Sequence, residues 1–258
     1  MPLTYSSYLR LDELLDIQTP ASDGEHDEML FIVVHQVYEL WFKQILHELD
    51  RLQDLLDADD GARARHTLNR VLRILKVLVH QLDILETMTP LEFLTFRDRL
   101  ESGSGFQSWQ FRGFEFALGQ KRMPAVQHYP EGSAARTWLA ARMERPSIWD
   151  SFLHYIARGG HAVPQSLLER DVREPVTASP ELQRLLIDIY RSDAGVREMC
   201  ERFVDLDEGV QEWRYRHIKM VERTIGMKMG TGGTSGAEYL KSTLRPAFPD
   251  LWAIRSEF

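Results

Sequence analysis

Residues 26–56 read HDEMLFIVVHQVYELWFKQILHELDRLQDLL, without a proline or a glycine. Apolar or aromatic side chains, with one histidine among them, recur at Phe31, His35, Tyr38, Phe42, Ile45, Leu49, Leu52 and Leu56. The steps alternate four and three, the spacing of one face of a helix. The first half is apolar nearly all round, MLFIVV and then VYELWF, which predicts a helix with neighbours on several sides. Gly61 interrupts before a second run of helical spacing, Leu68, Val71, Leu75, Leu78, Leu82 and Leu85. The two segments are expected to form a helical hairpin.

Capping chemistry marks the next boundary. Thr89-Pro90-Leu91-Glu92 puts a hydroxyl at the N-cap, proline at the first helical position and a carboxylate three residues after the cap, predicting a short helix over about 90–100. Ser102-Gly103-Ser104-Gly105 interrupts, and FQSWQFRGFEFAL (106–118) predicts an aromatic-rich helix. The proline-rich stretch of about 120–180, which holds Gly159-Gly160, reads as short helices forming a satellite to the core. A last long helix is expected over about 195–225, with the stripe Phe203, Leu206, Val210, Trp213, His217, Met220 and Thr224 between charged flanks. No run alternates with period two for long enough to build a sheet, and nothing repeats at a solenoid period. The expected fold is an all-α helical bundle with two long core helices, one domain over residues 1–258.

A chain of 258 residues is long enough to bury a sizeable core. Its net charge of −8 argues against a nucleic-acid partner, which calls for the opposite bias. One cysteine, Cys200, excludes an internal disulfide, a C-x-x-C pair and a cysteine-ligated iron–sulfur cluster, and fits a reducing compartment. The opening MPLTYSSYLRLDELL carries Asp12 and Glu13 where a leader needs an apolar run, and the longest purely apolar stretch, 29–34, is far short of a membrane span. The expectation is a cytoplasmic protein with no membrane partner.

Each long helix places one histidine on its core-facing stripe, His35 and His217. Singly, such residues are usually satisfied core histidines. As a pair on two helices of one bundle they point to a buried pocket, since bundle interiors commonly house cofactors or substrates. Both readings stand at this level. None of the nine histidines has a glutamate three residues before it, which disfavours a di-iron carboxylate site. H-E-x-x-H, zinc spacing and C-x-x-C-H are absent as well. Non-covalent haem needs one imidazole in an apolar pocket, and His217 between Trp213 and Met220 permits it.

Five glycines crowd the eleven positions from Gly226 to Gly236, directly after the His217 helix. The segment is neither a P-loop nor G-x-G-x-x-G, because Ser235 stands where the third glycine belongs. It reads either as a connector or as a cradle of backbone N–H groups for a carboxylate, with Thr231 offering a hydroxyl. Arg97, one turn after Phe93, is a candidate for bidentate pairing with an acid. The aromatic strip of Phe106, Trp109, Phe111, Phe114 and Phe116 reads as core, and Cys200 as a small buried hydrophobe.

Three stretches together carry a resemblance: the residues from His26 quoted above, LETMTPLEFLTFRDRLESGSGFQSWQFR from Leu85, and WRYRHIKMVERTIGMKMGTGGTSGAEYL from Trp213. In them the chain resembles the tryptophan 2,3-dioxygenase family, and the likeness extends from YSSYLRLDELLDIQ at Tyr5 to FPDLW near the C-terminus. It is weakest over the proline-rich middle, where the family varies in length. The resemblance implies a homotetramer of haem-dioxygenase domains with one non-covalent haem b per subunit. The implied reaction inserts both atoms of O₂ across the indole C2–C3 bond of L-tryptophan to give N-formyl-L-kynurenine, in tryptophan catabolism by the kynurenine route. By the same resemblance, His217 is the axial ligand of the haem iron, and Ser104 and Gly105 lie beside the haem. His35 is the catalytic residue that accepts a hydrogen bond from the indole N–H, with Phe31 packing on the ring. Arg97 and Thr231 bind the amino-acid head group, and Tyr5, Tyr8 and Leu9 reach into a neighbouring subunit's site. Some members carry a tyrosine at the position of Phe93, so a hydroxyl contact with the substrate carboxylate is missing here.

Overall fold

A computed structural model of the chain describes residues 2–101, 103–226, 228 and 240–258. The two predicted long helices are present, α3 (His26–Asp57) and α12 (Ala194–Ile225), with α4 (Gly61–Leu85) as the hairpin partner of α3. Asp60 caps α4 by accepting from the Arg63 N–H, which is why the helix starts at the glycine that interrupts the pattern. The α4 helix packs against both α3 and α12. The stripes meet as predicted: Ile45, Leu49, Leu52, Leu56, Leu68, Phe203 and Leu206 are all wholly buried. Each such side chain contributes about 1.5–3 kcal/mol relative to leaving it in water.

Ahead of this core lie two short helices, α1 (Tyr5–Leu9) and α2 (Leu11–Leu14), neither of which buries a residue. The capping box forms as read: Thr89 accepts from the Glu92 N–H and Glu92 returns to the Thr89 N–H. It opens α5 (Pro90–Arg97), followed by a 3₁₀ turn to Leu100. The aromatic helix α6 (Trp109–Ala117) begins three residues later than the sequence predicts. Ser108 Oγ accepts from the Phe111 N–H and sets the start there, while Gly105–Gln107 form a 3₁₀ turn.

The proline-rich stretch divides into two kinds of packing. Helices α7 (Met123–Gln127) and α8 (Ala134–Met143) close a small cluster of their own around Phe116, Val126, Tyr129, Leu139 and Met143. Gly113 allows Trp138 to lie on α6, since a Cβ there would stand 2.3 Å from its ring. By contrast α9 (Ile148–Arg158) lies against α3 and buries Trp149, Phe152 and Ile156 in the main core. The short α10 (Gln165–Leu168) follows on α9, while α11 (Pro180–Ser192) packs on α12 and on α13 (Pro249–Ala253). The architecture is an all-α bundle with several long helices. Among the described residues, no helix is long and apolar enough to cross a membrane.

Candidate active site

An apolar cavity of about 220 Å³ lies between α3, α5, α6 and α12. Phe31, His35, Phe93, Arg97, Ser104, Gly105 and His217 all line it, so seven residues drawn from four separate stretches converge. Phe93 and Arg97, four apart on the capped α5, share a face of that helix. The Phe93 ring sits 5.8 Å from that of Phe31 and 5.4 Å from that of Phe96. Nothing among the described residues lies within 4 Å of where a Cβ on Gly105 would stand, so the glycine keeps space open beside Ser104.

The two imidazoles differ in their bonding. His35 Nδ1 lies 2.7 Å from the Phe31 carbonyl oxygen, one turn back. A carbonyl only accepts, so Nδ1 carries the proton and Nε2 is left as an acceptor. Burial lowers the His35 pKa below its ordinary value despite the Phe31 carbonyl and Glu39, which act the other way. His217 lies parallel to the Trp213 ring, 4° between planes and 5.3 Å between centroids. Among the described residues no hydrogen bond reaches either of its nitrogens. Burial, together with His35 across the cavity, pushes its pKa down to about 4. A neutral imidazole with uncommitted nitrogens in apolar surroundings is a donor set that suits the iron of a haem. Tyr38, Phe42, Phe111, Met220 and Val221 supply the apolar wall that a porphyrin requires.

Deeper along α6 the wall turns charged. Glu115 is buried and accepts from Arg112 Nη1 at 2.6 Å, Arg122 Nη2 at 2.9 Å and Arg214 Nη2 at 2.8 Å. Burial pushes its carboxyl up, and the three guanidinium groups more than reverse that, leaving it below the ordinary carboxylate value. Arg112 and Glu115 are functional-site neighbours that the apolar periodicity does not single out. The available signal was a charged pair three apart on a helix otherwise built from large aromatics.

Three expected contributors lie elsewhere. Tyr5, Tyr8 and Leu9 sit on α1, are 75%, 70% and 41% exposed, and do not line this chain's cavity. Thr231 and most of the glycine cluster lie outside the described residues. Of the aromatic strip read as core, Phe111, Phe114 and Phe116 are buried, whereas Phe106 is half-buried on the cavity wall and Trp109 is 37% exposed; Cys200 is wholly buried, which raises its thiol pKa.

A helical bundle that closes two neutral imidazoles and an arginine around an apolar cavity is built to hold a flat or aromatic small molecule in its interior. The family model described as tryptophan 2,3-dioxygenase matches residues 1–147 and 165–258. A protein of Herpetosiphon aurantiacus named tryptophan 2,3-dioxygenase is 60% identical over 256 residues, 99% of this chain and 98% of the relative. One of the same name from Anaeromyxobacter sp. strain K is 58% identical over 98% of this chain and 95% of its own length. Another, from Caulobacter vibrioides, is 44% identical over 99% and 98%. The chain belongs to the tryptophan 2,3-dioxygenase family.

Proposed function

We propose that the chain is a haem-dependent dioxygenase that converts L-tryptophan and O₂ to N-formyl-L-kynurenine. The indole C2–C3 bond is broken, one oxygen atom ends on the formyl carbon and the other on the ketone, and no further oxidant is consumed. The observation that carries the reading is the convergence of His35, Phe31, Phe93, Arg97 and His217 on one cavity. His217 would hold the haem, with Ser104 and Gly105 beside it, and the haem iron supplies the site at which O₂ is activated.

The chain's own residues orient the substrate and exclude water. Arg97 binds the carboxylate, with Thr231 assisting at the head group. Phe31 and Phe93 wall the indole. His35 Nε2 accepts the indole N–H and fixes the ring's rotation. It does so as a positioned acceptor rather than a base, since an indole N–H is a far weaker acid than imidazolium. We further propose a cytoplasmic homotetramer in which Tyr5, Tyr8 and Leu9 complete a neighbouring subunit's site. Their exposure on this chain supports that arrangement.

The test is a spectrum of the reduced protein without air, followed by admission of air with and without L-tryptophan. The expected result is a Soret band and O₂ uptake only when L-tryptophan is present. A Soret band without tryptophan-dependent uptake defeats the reading. Tryptamine should be consumed at least about a hundredfold less efficiently, because it brings no carboxylate to Arg97. If it serves equally well, the orientation argument fails.

A further inference from the structure

From residue 2 to residue 27 the chain buries nothing. Leu3, Tyr5, Tyr8, Leu15 and Ile17 are each more than half exposed, and neither α1 nor α2 buries a side chain. A run of large apolar side chains left in water marks a surface that meets another molecule.

Among the described residues the first buried one is Glu28, a carboxylate, 2% exposed. Its hydrogen-bond partners lie in the segment that joins this arm to α3. Glu28 Oε1 accepts from the Ala21 N–H at 2.7 Å, and Oε2 accepts from the Ser22 N–H at 2.9 Å and from the Ser22 hydroxyl. Burial pushes the Glu28 carboxyl up, and Ser22, Ala21 and the nearby Arg99 more than reverse that, so the group stays charged. Further along α3, Gln36 Oε1 accepts from Gln18 Nε2 at 2.6 Å, and the same nitrogen donates to the Leu14 carbonyl where α2 ends.

Glu28 and Gln36 stand on one ridge of α3, with about 12 Å of helix between them. Residues 18–22 are therefore stapled along the helix against its direction, and Gly24, with φ at 89°, turns the chain back into it. The arm thus leaves the subunit at Gln36. Bonds to an ionised acceptor are roughly twice as strong as neutral ones, which suits Glu28 to hold a strap that buries no side chain of its own.

We infer that Glu28, with the Gln18–Gln36 bond, is a positioning residue: it sets the direction in which the arm leaves its own subunit and thereby sets L-tryptophan affinity at the neighbouring subunit's cavity. The inference rests on the reading above in which Tyr5, Tyr8 and Leu9 complete a neighbour's site. The competing account is action within one subunit, because Glu28 lies one turn before Phe31 on α3 and near Arg99, two residues from Arg97. The two accounts differ in which subunit's cavity is impaired.

The experiment measures L-tryptophan-dependent O₂ uptake by the haem-loaded oligomer. Glu28→Gln keeps the shape of the side chain and loses its charge and one acceptor. It is expected to raise KM about tenfold, with kcat within about twofold and haem content and oligomer mass unchanged. Gln18→Ala removes the second tie without altering α3 and should raise KM about threefold; it takes the place of Glu28→Gln throughout if that variant does not fold. Glu28→Gln is then co-assembled with an excess of His217→Ala subunits, which lack the axial ligand and carry an intact arm. KM of the cavities that keep haem should return to within about twofold of wild type. Unchanged KM in both single variants overturns the inference. A raised KM that the intact arms fail to lower also overturns it, by placing the effect inside one subunit, and so does loss of kcat or haem with KM unmoved. If Tyr8→Ala leaves the wild-type KM unmoved, the reading of the arm fails first and this inference with it. A wild-type oligomer without tryptophan-dependent uptake overturns the dioxygenase reading itself, and the inference falls with that.

Discussion

The half of the cavity around His35 and the half around His217 are built from helices of equal length, each with one histidine on an apolar stripe, yet they prepare that histidine differently. On α3 the residue four before the histidine is Phe31, whose carbonyl accepts a hydrogen bond from Nδ1–H. On α12 the corresponding residue is Trp213, whose ring lies flat against the imidazole. An imidazole lying flat on that indole does not turn back to its own helix carbonyl. Burial makes both rings neutral, but only the first has a defined tautomer. One half therefore offers a fixed acceptor and the other an uncommitted nitrogen donor.

The largest effect should come from the uncommitted side. His217→Ala is expected to abolish haem retention and turnover together, while leaving helicity and the unfolding midpoint of the haem-free protein nearly unchanged. The wholly buried residues of α12, Met199, Cys200, Phe203 and Leu206, lie three turns or more before the histidine. Soret absorbance after gel filtration and circular dichroism report the two quantities separately. Full haem retention in this variant would break the comparison at once.

His35→Ala should act more mildly. Haem stays, and kcat/KM for L-tryptophan falls by about ten- to a hundredfold, at or below the low end of what a positioned acid or base contributes. Complete loss with haem retained would make His35 an obligatory base. Loss of haem would make the two halves equivalent and remove the distinction drawn from the Phe31 bond.

Much of this was legible before any coordinates. The stripes of α3, α4 and α12 follow helical period and carry no competing signal, and the Thr89–Glu92 box opens α5 where the sequence puts it. What the sequence hid has physical reasons. The start of α6 falls at Trp109 because Ser104 caps the 3₁₀ turn Gly105–Gln107 and Ser108 caps the α-helix that follows it. The stretch around Trp149 looked peripheral because prolines and glycines flank it, yet its own eleven residues are strongly two-sided and lie on α3. Arg112 and Glu115 escaped notice because a charged side chain on a helix is ordinarily solvated, and nothing local announces that Arg214, a hundred positions away, joins them. His35 and His217 drew attention by their stripes, while their different tautomeric freedom depends on ring orientation, which no spacing encodes.

The smallest effect sharpens the contrast from the His35 side. Phe93 is buried, with its ring on Phe31 and at 87° to Phe96, and it lines the cavity one turn from Arg97. Phe93→Tyr adds a hydroxyl with the packing otherwise kept. If that hydroxyl meets the substrate carboxylate beside Arg97, it adds one hydrogen bond to a charged acceptor, and KM for L-tryptophan should fall by about three- to tenfold, close to 1 kcal/mol. Because the bond is present in the ground state and the transition state alike, kcat should move by less than about twofold. Haem retention should not change, since the hydroxyl serves the half of the cavity that holds substrate. Tryptamine kinetics should also be unmoved, for it brings no carboxylate to bond. A fall in KM for both compounds would mean that the hydroxyl acts on the indole or on His35, and the head group would then have to be sought away from Arg97.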